Sequence, residues 1–191
     1  ERLVLRLLDK SGAMLSLEEI GFAPDLFPVY HRLIRRSHGI ILVTGPAGSG
    51  KSTVSLAFAH AAALRNERTA YFSFDERLET LVERTRGLGM DVSPHLKSGL
   101  LTVQPIDTAE LSPGQFAHAV RRAAEGEDGQ APARIVIIDS LNGYLNAMPE
   151  ERFLHAQLHE LLTYLGHKGV VTFLVVAQHV AGHRAPTAQA Q

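Results

Sequence analysis

The sequence predicts an α/β fold, a three-layer αβα sandwich built on one mainly parallel sheet. Short apolar runs typical of strands alternate with amphipathic runs typical of helices, and this order favours parallel strands joined by right-handed crossovers. The run Ile135–Asp139 is apolar on both faces, as a central parallel strand requires. The length of 191 residues, with no internal repeat and no linker, suits a single domain spanning residues 1–191.

The first third of the chain is expected to hold two strands and three helices. Residues 2–8 alternate between apolar residues and Arg, as in a half-exposed strand. A capping box beginning at Ser16 starts a brief helix, and Asp25 is expected to cap a second helix that closes at residues 35–36. An apolar strand and a helix then flank a glycine-rich loop, at residues 39–44 and 52–64.

The rest of the chain continues this alternation. Aromatic and β-branched residues predict a strand at 69–74. The run 112–115 combines a capping box with proline at the first helical position and predicts a helix at 116–124, and leucines at helical spacing predict another at 149–165. Small polar residues at 181–191 predict a disordered tail. The other expected elements are a helix at 76–88 and strands at 100–103, 135–139 and 170–177.

Composition argues against several classes of protein. The formal net charge of −1 and the isoelectric point near 6.9 give no overall attraction to nucleic acid, so we expect no nucleic-acid partner. The chain has no cysteine, which excludes disulfides and thiolate metal sites. No apolar run approaches the ~20 residues of a membrane span, and the first residues are unlike a signal peptide. We therefore expect a cytoplasmic protein without a membrane partner.

Residues 45–52 match G-x-x-x-x-G-K-[ST], the phosphate-binding loop or Walker A motif. The loop lies between a strand and a helix, so its glycines can turn backbone N–H groups toward a phosphate while the helix adds its positive dipole end. Lys51 should reach the β- and γ-phosphates, and Ser52 should bind Mg²⁺. The alternative is a glycine-rich turn that binds no ligand. The predicted nucleotide-binding residues are Gly45, Pro46, Ala47, Gly48, Ser49, Gly50, Lys51, Ser52 and Thr53.

Asp139 ends an apolar strand and is followed by Ser140, as in a Walker B motif. A carboxylate at the carboxyl end of a central strand faces the crevice in which open α/β sheets bind ligands. There it could hold Mg²⁺ directly or through water, and we predict Ser52 and Asp139 as the metal ligands. Without the phosphate loop, an Asp after an apolar strand would usually be a turn residue.

Hydrolysis of a nucleotide also needs a group that orients or deprotonates the attacking water. Glu76 is the predicted base, with Asp75 beside it as the cap of the next helix; the alternative is that both carboxylates only cap that helix. Gln178, after the last strand, is predicted to contact the γ-phosphate and relay its loss, and its alternative is an ordinary amide at a strand end. The predicted catalytic residues are Lys51, Glu76, Asp139 and Gln178.

From about residue 52 to 180 the chain resembles the KaiC-like branch of the RecA-type ATPases. The resemblance lies in the run 71–77 (Tyr-Phe-Ser-Phe-Asp-Glu-Arg), the helical segment after it through residue 91, the strand Ile135–Asp139 with Ser140, and Gln178. Family members usually have two glutamates where this chain has Asp-Glu. The resemblance implies a RecA-like P-loop sheet, ATP or ADP with Mg²⁺ as cofactors, and the second residue of that pair as the base.

Residues 1–50 resemble instead the entry to the ATPase domain of GspE/PilB-type secretion and pilus-assembly motors. The resemblance lies in residues 6–10 and 15–22, and in 33–46, where an arginine pair precedes Ser-His-Gly-Ile-Ile-Leu-Val-Thr-Gly-Pro. The Gly-rich entry segment of KaiC-like domains is absent, and so are the Asp- and His-containing boxes of the secretion motors. Because both families share the phosphate loop, we hypothesise an engineered chimera joined within or just after residues 45–53.

The two resemblances imply a P-loop domain that binds Mg·ATP or Mg·ADP and hydrolyses ATP slowly at most. The later KaiC strands, which bring a basic residue to a neighbour's γ-phosphate, are absent from the chain, and such an arginine finger is worth ~10³-fold or more in rate. One alternative is a nucleotide-binding scaffold without turnover. Another is a DNA-handling motor like RecA, for which no basic and aromatic loop is present. The oligomeric state, including a homo-oligomer, stays open.

Overall fold

The computed structural model describes residues 25, 28–29, 32, 36, 38–107, 109–126, 129–146 and 151–178, with residues 151 and 152 described by their backbone alone. The predicted strand at 2–8, the helix that starts at Ser16 and the tail at 181–191 lie outside the described residues. Of the predicted helix at 25–36, positions 28, 29 and 32 are helical. All strands predicted from residue 39 onward fall within the described part of the chain.

Five strands form one parallel sheet. They are β1 (Gly39–Gly45), β2 (Thr69–Ser73), β3 (Leu101–Pro105), β4 (Ile135–Asp139) and β5 (Val171–Ala177). Their order across the sheet is β1-β5-β4-β2-β3, so that β5 lies between β1 and β4. The parallel pairing of all neighbours confirms the predicted α/β class.

Helices cover both faces of this sheet. They are α1 (Lys51–Leu64), α2 (Leu78–Gly87), α3 (Ser93–Ser98), α4 (Pro113–Glu125), α5 (Leu141–Asn146) and α6 (Glu151–His167). Side chains of α1 and α2 enter the apolar core on one face, and side chains of α4, α5 and α6 enter the core on the other. The two helical layers and the sheet are the three predicted layers. None of the described helices is long and apolar enough to cross a membrane.

Strands β2 and β4 are buried along their whole length because helices cover both of their faces. Alternate residues face opposite layers, so Tyr71 and Ile137 lie in the core with α1, whereas Phe72 and Ile138 lie in the core with α4. Asp139 follows Ile137 by two residues and therefore shares its face. The alternation of β4 thus turns Asp139 toward the layer of α1, the helix that follows the glycine-rich loop.

The capping box predicted at Ser112 is present. The backbone N–H of Gln115 donates to Ser112 Oγ at 3.3 Å, and the backbone N–H of Ser112 donates to Gln115 Oε1 at 2.9 Å. Because Ser112 is the N-cap, α4 begins at Pro113 and not at Phe116 as predicted. Proline suits this first position, since an N–H there would have no partner within the helix.

Helices α3 and α5 are not predicted by any pattern in the sequence. Each has six residues, which is too short for an apolar stripe at helical spacing to be recognised. Helix α3 has proline in its first turn and ends at Ser98, followed by the C-cap Gly99, whose φ is 75°. Helix α5 follows β4 after one residue and contains Gly143, a weak helix former.

A pair of histidines joins α1 to α3. The Nδ1 atom of His60 lies 2.9 Å from Nε2 of His95, and the ring centroids are 4.8 Å apart. Burial lowers the pKa of His60, the neighbouring His95 lowers it further, and Asp91 opposes both effects. Burial likewise lowers the pKa of His95, with Asp91 again opposing. Both rings therefore favour the neutral form in the folded protein.

We expect the protein to lose stability as the pH falls below about 6.5, the ordinary pKa of histidine. The pKa values of His60 and His95 are lower in the folded than in the unfolded chain, so below pH ~6.5 the unfolded chain binds more protons. The free energy of unfolding, measured with urea, should therefore be smaller at pH ~5.5 than at pH ~7.5.

The control is a comparison of two variants. Replacing His60 and His95 together with Gln should reduce the difference in stability between the two pH values, because the titrating pair is gone. Replacing His167 with Gln, at the exposed end of α6, should leave the difference unchanged. An undiminished difference in the double variant would show that other groups cause the pH dependence.

Candidate functional site

The loop between β1 and α1 contains two glycines in left-handed backbone conformation. The φ angle is 77° at Gly48 and 88° at Gly50, values that residues with a side chain rarely adopt. Gly50 is also the N-cap of α1, where no side chain makes a capping hydrogen bond. The first N–H groups of a helix have no partner within the helix, so this end of α1 is suited to an anion.

Lys51 lies over this loop. Its Nζ atom donates a hydrogen bond to the Pro46 carbonyl at 2.7 Å and is 3.5 Å from Ser49 Oγ. Ser52 and Thr53 are half-buried in the first turn of α1, whereas residues 46–49 are exposed. The predicted nucleotide-binding residues 45–53 therefore form one strand-loop-helix unit, with the ammonium group of Lys51 beside the loop.

Asp139 is buried at the carboxyl end of β4, with 8% of its surface exposed. The hydroxyl of Tyr71, in the neighbouring strand β2, donates a hydrogen bond to Asp139 Oδ2. Burial raises the pKa of Tyr71 far above its ordinary value, and the charge of Asp139 raises it further, so the hydroxyl stays protonated. Sequence reasoning missed Tyr71, although the alternation of β2 was a signal that it faces the same layer as Asp139.

The predicted site residues lie at one edge of the sheet, because the carboxyl ends of parallel strands meet there. In the strand register, Gly45 is opposite Ala177, Val175 is opposite Asp139, and Asp139 is opposite Ser73. The glycine-rich loop, the end of β5, the Asp139 carboxylate and the segment after β2 follow one another along this edge. A ligand on the loop would therefore have acidic side chains beside it.

Asp75 does not cap α2, contrary to the prediction. Helix α2 begins at Leu78, after the N-cap Arg77, and no side chain makes a capping hydrogen bond there. Asp75 accepts a hydrogen bond from Ser140 Oγ at 2.7 Å instead. Ser140 Oγ in turn accepts one from the backbone N–H of Gly143 at 3.3 Å. A contact between distant parts of the chain thus replaces the local cap.

Glu76 is fixed through both its backbone and its side chain. Ser73 Oγ donates to the Glu76 carbonyl at 2.7 Å and accepts from the Glu76 N–H at 3.2 Å. The carboxylate forms an ion pair with Arg84 of α2, with 2.8 Å between Oε2 and Nη2. Burial raises the pKa of Glu76, Arg84 lowers it, and Asp139 raises it. The capping alternative is wrong for this residue too, and its role as a base stays a prediction.

Gln178 contacts the strand that leads into the loop. Its backbone N–H donates to the Gly45 carbonyl at 2.9 Å, and its Nε2 atom is 3.4 Å from Thr44 Oγ1. One residue earlier, the Ala177 N–H donates to Asn142 Oδ1 at 2.7 Å, and Asn142 Nδ2 donates to the Ala177 carbonyl at 3.2 Å. Asn142, in the unpredicted helix α5, therefore links the end of β5 to the segment after β4. Contact of Gln178 with a γ-phosphate stays a prediction.

Gly143 is expected not to tolerate a side chain. A Cβ atom at this position would lie 2.5 Å from Cβ of Phe74, the residue before Asp75. Because Gly143→Ala must displace Phe74, we expect it to lower the free energy of unfolding by about 1–3 kcal/mol. In the control Gly166→Ala, in α6, the new Cβ meets nothing within 4 Å and should stabilise by up to about 1 kcal/mol. Equal urea unfolding of the two variants would contradict this.

The family described as "ATPase: KaiC" matches residues 31–190 of the chain. This match includes the glycine-rich loop and begins upstream of the predicted junction. Among solved structures, the fold is similar to that of the KaiC-like protein PH0186 from the archaeon Pyrococcus horikoshii OT3, with a TM-score of 0.61 and 24% sequence identity. The similarity covers 73% of this chain and 61% of that one, and at this identity it concerns the fold.

A second similarity is confined to 53 residues, or 28% of the chain. Over these residues the chain is 57% identical to the Type II secretion system protein HxcR of Pseudomonas aeruginosa, 57% identical to the Type II secretion system ATPase E of Vibrio cholerae, and 60% identical to the Type II secretion system protein E of Dickeya dadantii. The chain spans 10–11% of the length of these relatives. Both resemblances inferred from the sequence are therefore confirmed.

Proposed function

Because the chain belongs to the family of KaiC ATPases, we propose that its glycine-rich loop binds Mg·ATP or Mg·ADP and that it hydrolyses ATP slowly at most. The observation that supports this proposal is one juxtaposition at the edge of the sheet. The loop with Lys51 lies at the end of β1, and the buried carboxylate of Asp139 lies one strand beyond β5.

The loop residues fit a polyphosphate. Left-handed backbone at Gly48 and Gly50 allows successive N–H groups to converge, and the N-terminus of α1 adds further donors. The Lys51 ammonium needs only to exchange the Pro46 carbonyl for a phosphate oxygen, which is the stronger, charged acceptor. These residues would bind the phosphates and offset their charge.

Ser52 and Asp139 fit Mg²⁺, which prefers oxygen ligands and is usually bound by one or two protein groups together with phosphates and water. Among the described residues, no group of three or more His, Cys, Asp or Glu side chains could hold a metal ion. A cation that takes most of its ligands from substrate and water therefore suits this edge better than one that needs a protein cage. The bound ion would neutralise charge on the phosphates.

Glu76 is the residue that we assign to orient the attacking water. Its pKa is raised by burial, which makes its carboxylate a better proton acceptor than an exposed one. The same carboxylate is paired through Oε2 with Arg84, which lowers its pKa and so competes with the effect of burial. This competition favours slow hydrolysis. Gln178, bonded to the end of β1, would contact the γ-phosphate and pass its loss to that strand.

Purified protein tests the proposal in two steps. Isothermal calorimetry should show ATP and ADP binding that is tighter with Mg²⁺ than with EDTA. Phosphate release, followed over hours, should be as slow as that of P-loop enzymes without a partner's arginine, about 10⁻⁴ to 10⁻² per second. Absence of nucleotide binding would overturn the proposal, and turnover of tens per second would overturn its kinetic part.

We also propose that the chain joins two P-loop lineages at the glycine-rich loop and is engineered. The support is the coexistence of a KaiC match over residues 31–190 with a 53-residue segment that is 57% identical to secretion-system proteins. In such a chain, phosphate binding is the property that both parents share, and the activities of the complete secretion proteins need not persist. A genomic reading frame that encodes all 191 residues contiguously would contradict engineering.

A further inference from the structure

Tyr71 carries a hydroxyl on a ring that packs among apolar side chains. Its ring is 1% exposed and packs in the apolar core that also contains Phe58 and Phe173. A phenylalanine would fill this site without the cost of removing a hydroxyl from water, a cost that a buried group recovers only through a hydrogen bond. The hydroxyl of Tyr71 donates that bond to Asp139 Oδ2. The polar atom thus has one specific acceptor, and it is the Walker B carboxylate.

The contact spans two strands and two positions of the register. Tyr71 is opposite Ile137 in the β2–β4 pair, and Asp139 is the second residue after Ile137 on the same face. Both ends of the bond are therefore fixed by buried strands, and the phenol ring is fixed by the core around it. Because the donor is held in place, it restricts the rotation of the carboxylate that it binds.

We propose that Tyr71 is a positioning residue that fixes the Asp139 carboxylate for Mg²⁺, an inference that rests on the proposed function of this site. With Oδ2 engaged by the hydroxyl, Asp139 keeps one rotamer, and its remaining lone pairs stay available to the cation or its water shell. Partners that orient a metal-binding carboxylate in this way usually change metal affinity by about 10- to 100-fold when removed. In this role Tyr71 acts through Asp139.

The test compares Tyr71→Phe with Tyr144→Phe. Tyr144 is a buried tyrosine of the opposite core, 2% exposed and packed against Phe74 and Phe116, so its variant controls for loss of a buried hydroxyl. Mg²⁺ is titrated into each protein with ADP present, and ADP binding is also measured in EDTA. The apparent affinity for Mg²⁺ in this titration is the Mg²⁺ response. We expect Tyr71→Phe to weaken it by about 10-fold or more and to leave ADP binding in EDTA unchanged. Tyr144→Phe should equal the wild type in both measurements.

A double variant shows whether Tyr71 acts through Asp139. If it does, adding Tyr71→Phe to Asp139→Asn should change the Mg²⁺ response no further, because the carboxylate is already gone. An Mg²⁺ response of Tyr71→Phe equal to that of the wild type would overturn the inference while leaving the proposed function intact. A wild-type protein that binds ADP without any Mg²⁺ dependence would overturn the inference and the Mg²⁺ part of the proposed function together.

The wild-type protein provides a second readout in case Tyr71→Phe does not fold. The hydroxyl proton of Tyr71, assigned by NMR through its contacts with the ring protons, is hydrogen-bonded to a carboxylate and excluded from water. Its resonance should move when Mg²⁺ is added to the ADP complex, because the cation withdraws charge from Asp139. A resonance that does not move on Mg²⁺ binding would overturn the inference.

Discussion

Replacing Lys51 with Ala is expected to weaken ATP binding by about 100-fold or more. Removing one partner of a desolvated charge pair typically costs 2–5 kcal/mol. In this chain the ammonium lies directly over the loop, 2.7 Å from the Pro46 carbonyl, and no other lysine belongs to the loop unit. Isothermal calorimetry with Mg·ATP measures the change.

The matched control for this prediction is Lys97→Ala, which removes an exposed lysine of α3. It should bind ATP as the wild type does. Urea unfolding of Lys97→Ala should stay within about 0.5 kcal/mol of the wild type, since exposed substitutions have small effects on stability. Urea unfolding of Lys51→Ala shows whether that variant is folded. If Lys51→Ala binds ATP as tightly as Lys97→Ala, the glycine-rich loop is not the nucleotide site.

Replacing Glu76 with Gln should abolish most phosphate release while leaving nucleotide binding intact. A positioned general base typically contributes 10²- to 10⁴-fold in rate, and the amide of Gln cannot accept the proton. Gln has nearly the same volume and keeps the backbone contacts with Ser73, which do not involve the side chain of residue 76. Single-turnover phosphate release with saturating Mg·ATP separates this effect from any change in affinity.

Glu83→Gln is the control for Glu76→Gln, because it neutralises an exposed carboxylate of α2, the helix that contains Arg84, the partner of Glu76. It should release phosphate at the wild-type rate. If Glu76→Gln binds ATP and releases phosphate as fast as the wild type, Glu76 is not the base. Should all three proteins bind ATP and release none, the chain is a nucleotide-binding scaffold without turnover.

The architecture and the edge of the sheet that holds the candidate site could be predicted because both depend on local patterns. The run Ile135–Asp139 is a strand with the predicted bounds, and the capping box at Ser112 starts a helix as predicted. Apolar runs define strands, and a parallel sheet brings their carboxyl ends to one edge. The strand and the helix predicted on either side of residues 45–52 are present, and the binding of phosphate by the loop between them stays a prediction.

The contacts that give each site residue its environment could not be predicted. Asp75 follows a strand and precedes a helix, so local reasoning makes it a cap. Instead, its carboxylate accepts a hydrogen bond from the hydroxyl of Ser140, 65 positions away in the chain. The partner of Glu76 is Arg84, which the helix presents on the side of the carboxylate only because of the way α2 packs on the sheet. The sequence contains these residues, but their pairing depends on tertiary packing.

The order of the strands also has a consequence for how the protein folds. Within the described sheet, β1 pairs with β5 alone. Strand β1 therefore has no neighbour in the sheet until β5, which begins at Val171, has formed. Contacts between residues so distant in the chain form late, because the loop between them must first be closed at an entropic cost. The glycine-rich loop is therefore synthesised before β5, and it acquires the support of that strand only when β5 pairs with β1. Recovery of nucleotide binding should be among the final events of refolding.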